Sequence, residues 1–277
     1  MTTSKKTILI TGCSSGIGQA AAMAFRDKGW RVIATARKQA DIERLASDLG
    51  VEAISLELGD LSSVQSCAER VLSMTGGRLD ALYNNAAYGQ IGAMEDIRGD
   101  VLSRHLDVNV VGPHELTRLL IPAMRQQGHG RIVNCSSVLG LVSGPYRGPY
   151  CASKFALEAI TDALRYELAG TGIHVSLLEP GPIYTKFLET TLTQFRAAID
   201  MENSPHREVY EKRLAAMAND TQSKLKMGPG AVVKALIHAV ESPKPKARYR
   251  ISPHTHAIAL MKRLLPGRTL DAIMKRT

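Results

Sequence analysis

The amino-acid sequence predicts an α/β fold built on a doubly wound parallel sheet. Short apolar runs alternate with segments of helical composition from residue 7 to about residue 178. Strands that are apolar throughout are typical of parallel sheets covered by helices on both faces. The chain has 277 residues, 44% of them hydrophobic, which is enough to bury the core of one such domain. We expect ligands at the carboxyl ends of the strands, near the point where the strand order reverses.

Six strands are expected in this part of the chain. Each is an apolar, often β-branched run that ends at polar or glycine-rich residues, as in TILIT at residues 7–11. The expected strands are 7–11, 31–35, 53–58, 79–83, 131–135 and 173–178.

Helical segments separate these strands. The expected helices are 17–28, 39–49, 62–74, 98–127 and 149–169. Ser62 or Ser63 is positioned to cap the third helix, because a serine hydroxyl accepts from the free N–H groups of a first helical turn. We expect Gly112, Pro113 and Pro122 to interrupt the long fourth helix, since an internal proline removes a backbone donor and clashes with the preceding turn.

The chain changes character near residue 186. Residues 186–226 are polar and have helical composition without strand signals. The expected elements beyond them are a helix at 230–241, a short strand at 247–251 and an apolar-basic stretch at 256–276 broken by Pro266 and Gly267. We therefore expect a single domain with a core at 5–186, a lid at about 186–226 and a C-terminal part at 227–277.

The positive charge is concentrated at the C-terminal end. The formal net charge is +9, and residues 241–277 hold nine Lys or Arg against two acidic residues, a net of +7. A basic tail can contact nucleic acid, an anionic membrane or an acidic partner, but most such tails are solvated surfaces. No recognition motif accompanies the charge, so nucleic acid is not an expected partner. Residues 256–265 suit either a weak membrane-surface contact or, as we favour, a helix packed at a pocket mouth or subunit interface.

Cysteine usage and hydropathy predict a cytoplasmic protein. Cys13, Cys67, Cys135 and Cys151 are scattered without paired spacing, so we expect free thiols in a reducing compartment. No apolar run approaches the roughly 20 residues that span a bilayer, and the polar first residues do not resemble a secretory leader. No His/Cys cluster has metal-ligand spacing, so no metal site is expected.

A glycine-rich turn, TGCSSGIG, lies between the first strand and the first helix. At that position Gly12 allows a tight turn, Gly16 lets the backbone approach a pyrophosphate, and Gly18 permits close packing of the helix. The alternative is a glycine-rich surface turn. The candidate cofactor-binding residues of this motif are Gly12, Ser14, Ser15, Gly16, Ile17 and Gly18.

The end of the second strand bears on the choice of cofactor. An acidic residue there would bind the adenosine ribose hydroxyls, whereas a basic residue would accept a 2′-phosphate. Arg37 and Lys38 occupy this position and no acid does. We therefore predict that NADP(H) is preferred over NAD(H), with Arg37 as the main contact, although two solvated surface cations would look the same.

A candidate catalytic group follows in YCASK. Tyr150 and Lys154 lie four residues apart in a predicted helix, which puts both side chains on one face. A nearby ammonium favours the phenolate, so we expect Lys154 to lower the pKa of Tyr150. Ser137 ends a strand thirteen residues before the tyrosine, and Asn109 is a polar residue within an otherwise apolar helical segment. A buried amide is costly unless it is hydrogen-bonded, and a bond to backbone alone would satisfy it.

Together these motifs resemble the short-chain dehydrogenase/reductase family. The glycine turn, NNA at 84–86, the helical asparagine, the serine, YxxxK and PGPIYT at 180–185 occur in the family's order and spacing, over residues 5 to about 186. Within the family, the chain looks most like hydroxysteroid and retinol dehydrogenases and bacterial NADP-dependent aldehyde reductases. Ala87 stands where the family usually has glycine.

The resemblance implies roles for the four candidate catalytic residues. Ser137 would polarise the carbonyl, and Tyr150 would act as general acid in reduction and general base in oxidation. Lys154 would lower the pKa of the tyrosine and bind the nicotinamide ribose. Asn109 would hold a water in a proton relay towards Lys154. The further cofactor contacts implied are Glu57, Leu58, Asn85, Ala86, Pro180, Gly181, Ile183 and Thr185.

Several alternatives stay open from sequence. Either Glu57 or Asp60 could contact the adenine. The resemblance implies an apolar aldehyde or ketone, or the matching alcohol, as substrate, with a hydroxysteroid or retinol as the alternative, and a homo-oligomer. Residues 186–226 would form a mobile lid that excludes water. A non-catalytic dinucleotide sensor is disfavoured because both Tyr150 and Lys154 are kept.

Overall fold

The computed structural model describes residues 5–219 and 227–275. Its centre is a seven-stranded parallel sheet with the strand order β3-β2-β1-β4-β5-β6-β7. The strands are β1 Thr7–Ile10, β2 Arg31–Ala36, β3 Glu52–Ser55, β4 Ala81–Asn84, β5 Gly130–Cys135, β6 Ile173–Glu179 and β7 Arg248–Arg250. The order reverses between β1 and β4, so the predicted doubly wound sheet is confirmed, with its ligand-binding crevice expected at this point.

Helices cover both faces of the sheet. They are α1 Gly16–Asp27, α2 Gln39–Leu49, α3 Leu61–Thr75, α4 Gly99–Leu106, α5 Gly112–Gln127, α6 Gly148–Glu167, α7 Phe187–Ala198, α8 Arg207–Asn219, α9 Pro229–Glu241, α10 Pro253–Leu264 and α11 Gly267–Met274. Side chains of β1 alternate between the two layers: Ile8 and Ile10 pack on the α1 and α9 side, and Leu9 packs on the α3 and α5 side.

Two local predictions around α3 are wrong. The third strand ends at Ser55, short of the expected residue 58. The cap of α3 is Asp60, not a serine: its carboxylate accepts from the backbone N–H of Ser62 at 2.9 Å. Asp60 precedes the first helical residue, where an acceptor meets the free N–H groups of the first turn. The Ser63 hydroxyl instead accepts from the backbone N–H of Glu57 at 2.9 Å.

The expected break in the fourth helix lies elsewhere. The interruption is a π-helical turn at Asp107–Val111, between α4 and α5. Pro113 lies in the first turn of α5, where its missing N–H is tolerated, and Pro122 lies within the helix without ending it. Gly112 is required for packing, because a Cβ there would lie 2.2 Å from the carbonyl oxygen of Leu58.

The C-terminal elements pack against the core beside the expected site. Ile258 of α10 lies in a buried cluster with Val142 and with Val138, the residue that follows Ser137. The favoured packing of this segment at a pocket mouth is consistent with that contact, while Leu260 and Leu264 of the same helix stay exposed. Among the described residues, no helix is long and apolar enough to cross a membrane, and no cluster of side chains could hold a metal ion. The four cysteines are free and buried, as expected.

Candidate active site

The glycine turn between β1 and α1 forms a tight, open-ended cradle. Gly12 and Gly16 have positive φ angles of 72° and 61°. A Cβ on Gly18 would lie 2.2 Å from the carbonyl oxygen of Gly12, so no side chain fits there. Ser15 precedes α1 without a side-chain hydrogen bond to the helix. The first N–H groups of α1 are thus left without a side-chain cap, an arrangement that suits a phosphate.

This turn is held against the loop that follows β4. The Thr11 hydroxyl accepts from the backbone N–H groups of Asn85 at 2.9 Å and Ala86 at 3.0 Å. In return, the Asn85 side-chain amide donates to the carbonyls of Thr11 at 2.9 Å and Gly12 at 3.2 Å. The two loops predicted to bind the cofactor are therefore joined by four hydrogen bonds. Thr11 belongs to the sequence motif, but the motif alone predicts no role for it.

The residues predicted to choose the cofactor lie at the carboxyl end of β2. Arg37 and Lys38 are both exposed. The Arg37 guanidinium lies 3.8 Å from the carboxylate of Glu57. The Glu57 carboxylate also accepts from the backbone N–H of Gly59 at 3.2 Å, and the Asp60 carboxylate caps α3, so both acids proposed for the adenine already have hydrogen-bond donors. Leu58 is buried beneath this edge.

The Tyr–Lys pair lies on one face of α6, as the spacing predicts. The Lys154 ammonium is 5.6 Å from the centre of the Tyr150 ring and donates to the carbonyl of Cys135, at the end of β5, at 2.7 Å. Ser137 follows that strand and is largely buried; its hydroxyl accepts from the backbone N–H of Leu139 at 3.2 Å. The carboxyl end of β5 thus carries a contact to Lys154 and the candidate serine together.

The pKa of Tyr150 is raised in the structure, whereas the sequence predicts that it is lowered. Burial of the hydroxyl raises the pKa of Tyr150 above its ordinary value, and a hydrogen bond with Ser137 opposes this only in part. Burial also lowers the pKa of Lys154, and the neighbouring Cys135 and Glu158 offset this lowering only in part. Removing the phenolate from water therefore sets the direction in which the pKa of Tyr150 moves. Tyr150 therefore holds its proton at neutral pH, the state that a general acid needs.

Asn109 is buried in the π-helical turn and bonds mainly to backbone. Its Oδ1 accepts from the N–H of Tyr88 at 3.1 Å, and its Nδ2 donates to the carbonyl of Tyr88 at 2.9 Å. The backbone bonds that could satisfy this amide are therefore present, and they tie α4 and α5 to the loop after β4. A role in holding a water stays a prediction.

His105 lies one helical turn before Asn109, and sequence reasoning missed it. It is fully buried, and its Nε2 is 3.2 Å from Nδ2 of Asn109. Since Tyr88 fixes Nδ2 as the donor, Nε2 must accept, and the ring proton lies on Nδ1. Nδ1 has no hydrogen-bond partner among the described residues. Burial and the positive charge of Lys154 lower the pKa of His105 to about 4, so the ring is neutral.

The loop after β6 is supported by the C-terminal part of the chain. The carbonyl of Pro180 accepts from the N–H of Val138 at 2.9 Å. A Cβ on Gly181 would lie 2.3 Å from the hydroxyl of Ser252, the cap of α10. A Cβ on Gly16 would lie 3.0 Å from Thr185. This loop, including Ile183, therefore lies between the glycine turn and α10, where a nicotinamide-binding loop is expected.

The expected lid begins directly after this loop. Its first helix, α7, places the ring of Phe187 5.5 Å from that of Tyr150. The second helix, α8, ends at Asn219, and residues 220–226 lie outside the described residues. The first lid helix is thus placed over the tyrosine, and the mobility of the lid stays a prediction.

Fold and site together define an oxidoreductase-type Rossmann domain. The glycine turn lies at the switch point of the sheet, and Ser137, Tyr150 and Lys154 converge beside the loop after β6. Residues 6–195 match the family model described as short chain dehydrogenase. The chain belongs to the short-chain dehydrogenase/reductase family, whose members bind a nicotinamide dinucleotide.

Known relatives agree over most of the chain. An uncharacterized oxidoreductase of Escherichia coli, YbbO, is 41% identical over 271 residues, covering 98% of this chain and 94% of the relative. Human 17-beta-hydroxysteroid dehydrogenase type 1 is 34% identical, covering 87% and 76%. A short-chain dehydrogenase/reductase from Burkholderia phymatum, solved with NAD, superposes with a TM-score of 0.79 at 25% identity, covering 99% and 96%.

Proposed function

We propose that this enzyme is an NADP(H)-dependent oxidoreductase acting on an apolar aldehyde or ketone, or on the matching alcohol. The observation that carries the reaction is the placement of a protonated Tyr150 beside Lys154 and Ser137. The uncapped start of α1 and the side-chain-free cradle at Gly12, Gly16 and Gly18 fit the phosphates of the cofactor.

The chain's own residues supply orientation and a proton. The bound nicotinamide supplies or accepts the hydride. Ser137 donates a hydrogen bond to the substrate carbonyl, and Tyr150 gives its proton to the same oxygen during reduction. Lys154, anchored by the carbonyl of Cys135, binds the ribose and stabilises the phenolate that forms. Asn109 holds a water that returns the proton towards Lys154.

The proposed cofactor contacts come from four segments that follow strands of the sheet. Ser14, Ser15 and Ile17 contact the cofactor from the glycine turn. Asn85 and Ala86 contact it from the loop after β4. Pro180, Gly181, Ile183 and Thr185 flank the nicotinamide. Glu57 contacts the adenine of the cofactor, and Leu58 lies beneath it.

The preference for NADP(H) rests on Arg37 and Lys38. Two exposed cations at the end of β2 suit a 2′-phosphate, and Glu57 offsets part of the charge of Arg37. The competing possibility is a preference for NAD(H), because the Burkholderia relative was solved with NAD. Arg37→Gln should weaken NADPH binding by up to about 5-fold and leave NADH binding unchanged, because exposed charge pairs are worth about 1 kcal/mol or less. Wild-type dissociation constants favouring NADH would overturn the preference.

The reaction is tested by NADPH consumption against a panel of aliphatic aldehydes, retinal and ketosteroids. Turnover of aldehydes at the highest kcat/KM supports the proposal. The human relative favours the hydroxysteroid alternative. The hydroxysteroid or the retinol alternative would show as a preference for those compounds. Turnover of none, with intact NADPH binding, would instead support a dinucleotide sensor.

Location and assembly are part of the same proposal. Four free, buried cysteines suit the reducing cytoplasm. The oligomer expected from the family resemblance is a dimer or tetramer. A weak membrane contact by α10 is the lesser alternative to its packing beside Ser137, and co-sedimentation of the full chain with anionic vesicles tests it.

A further inference from the structure

A small pocket lies between the lid and the segment that precedes α6. Its walls include Tyr146 and Arg147 from that segment, Phe195 from α7, and Tyr210 and Arg213 from α8. Most of this lining is apolar or aromatic. Two arginine residues therefore line a pocket whose other walls are mostly apolar.

The two arginines lack acidic partners among residues 5–219 and 227–275. Both are half-buried, and no described carboxylate lies within ion-pair distance of either one. Arg213 lies over the face of the Tyr146 ring at 4.7 Å, which holds the guanidinium without using its N–H donors. Burial and the positive charge of Arg213 both lower the pKa of Arg147. Two cations close enough to repel one another favour the binding of an anion between them.

The acidic residues near this pocket are already hydrogen-bonded elsewhere. Glu95 pairs with His206, whose ring also meets the hydroxyl of Tyr146. Asp96 accepts from the hydroxyls of Tyr210 and Ser204. These contacts hold α8 over the pocket, and neither carboxylate pairs with either arginine.

The pocket is lined by segments that also lead to the proposed catalytic site. Arg147 lies three residues before Tyr150 and forms a β-bridge with Gly92, in the loop after β4. On α7, Phe187 contacts the Tyr150 ring and Phe195 lines the pocket, eight residues later. At the helical rise per residue this separation is about 12 Å. A substrate with its carbonyl at Tyr150 could therefore place a distant group in the pocket.

We propose that Arg147 and Arg213 bind the carboxylate of a substrate whose reacting carbonyl lies at the other end of an apolar chain. The guanidinium group is the side chain best suited to carboxylates, through paired N–H donors. The apolar walls would take the chain. This proposal rests on the proposed carbonyl reduction and narrows its substrate class to apolar oxo acids.

The test compares medium-chain ω-oxo carboxylates with their methyl esters, using NADPH as reductant. A hydrogen-bonded charge is worth roughly 10- to 100-fold in affinity, so the wild type should favour the acid by about that factor in kcat/KM. Arg147→Gln and Arg213→Gln should each remove most of this preference, by lowering kcat/KM for the acid much more than for the ester. Arg207→Gln is the matched control, because Arg207 is an exposed arginine of α8 paired with Glu211.

Equal wild-type kcat/KM for acid and ester would overturn the subsite, as would equal losses on both substrates in the two variants. If no carbonyl compound is reduced, calorimetric titration of a medium-chain fatty acid and its methyl ester, with NADP⁺ present, separates the two proposals. Acid binding that Arg147→Gln abolishes would support the subsite even though the proposed reaction had failed. Equal binding of acid and ester would overturn it.

Discussion

Tyr150→Phe is the sharpest test of the proposed chemistry. The ring that packs against Phe187 at 5.5 Å and lies beside the Lys154 ammonium is kept. Only the hydroxyl, and its hydrogen bond with Ser137, is lost. Loss of general acid catalysis lowers rates by about 10²- to 10⁴-fold, equivalent to roughly 3–5 kcal/mol of activation free energy. The free energy of unfolding should change by no more than about 1 kcal/mol, the net value of one hydrogen bond.

The assay is steady-state NADPH oxidation with the best aldehyde of the panel, together with an NADPH dissociation constant from fluorescence titration. We expect kcat to collapse and NADPH binding to survive. Tyr166→Phe is the matched control, because Tyr166 lies on the same helix and is 67% exposed. Because burial keeps Tyr150 protonated, the wild-type reductive kcat should stay nearly flat between about pH 6 and pH 8. Retention of more than about a tenth of the wild-type rate would refute Tyr150 as the acid.

Three other substitutions test the surrounding structure. Gly12→Ala should abolish NADPH binding, because its Cβ would lie 2.8 Å from Ala86 at a φ of 72°; Gly29→Ala, with a φ of 82° and open space, controls for backbone strain alone. Asp60→Ala should lower the free energy of unfolding by about 1 kcal/mol through the lost cap, and a changed NADPH dissociation constant would assign the adenine contact to Asp60. Burial raises the pKa of Glu158 to about 7 from 4.5, so the folded chain binds that proton more tightly and the free energy of unfolding should fall as the pH rises through this window. Glu158→Gln should flatten that fall in urea titrations, and an unchanged slope would place its origin in another group.

Local patterns predicted most of the sheet because each strand is a continuous apolar run. β1, β2 and β5 lie within one residue of their expected ends. The third strand and the cap of α3 were misplaced because several polar residues there could each end a strand or begin a helix. Only the packed fold selects among them, through contacts such as the bond from Glu57 to Ser63.

The candidate site likewise contains some features that local sequence predicts and others that only the packed fold shows. Short-range spacing was sufficient to place Tyr150 and Lys154 on one helical face, since helical geometry depends on neighbours in sequence. The burial of His105 beside Asn109 could not be predicted in this way. A histidine in a helix becomes notable only when its ring is buried against Asn109, a partner whose own orientation is set by Tyr88 from another loop.

The sequence by itself determined the strand–helix alternation, the glycine turn and the Tyr–Lys pair, because each depends on residues close together along the chain. The tertiary structure decided three things: which groups lose their water, which way the pKa of Tyr150 moves, and where Arg147 and Arg213 meet. Desolvation and like-charge proximity arise only when distant segments pack together. Arg147 and Arg213 are far apart in the sequence and come together only because α8 packs over the start of α6.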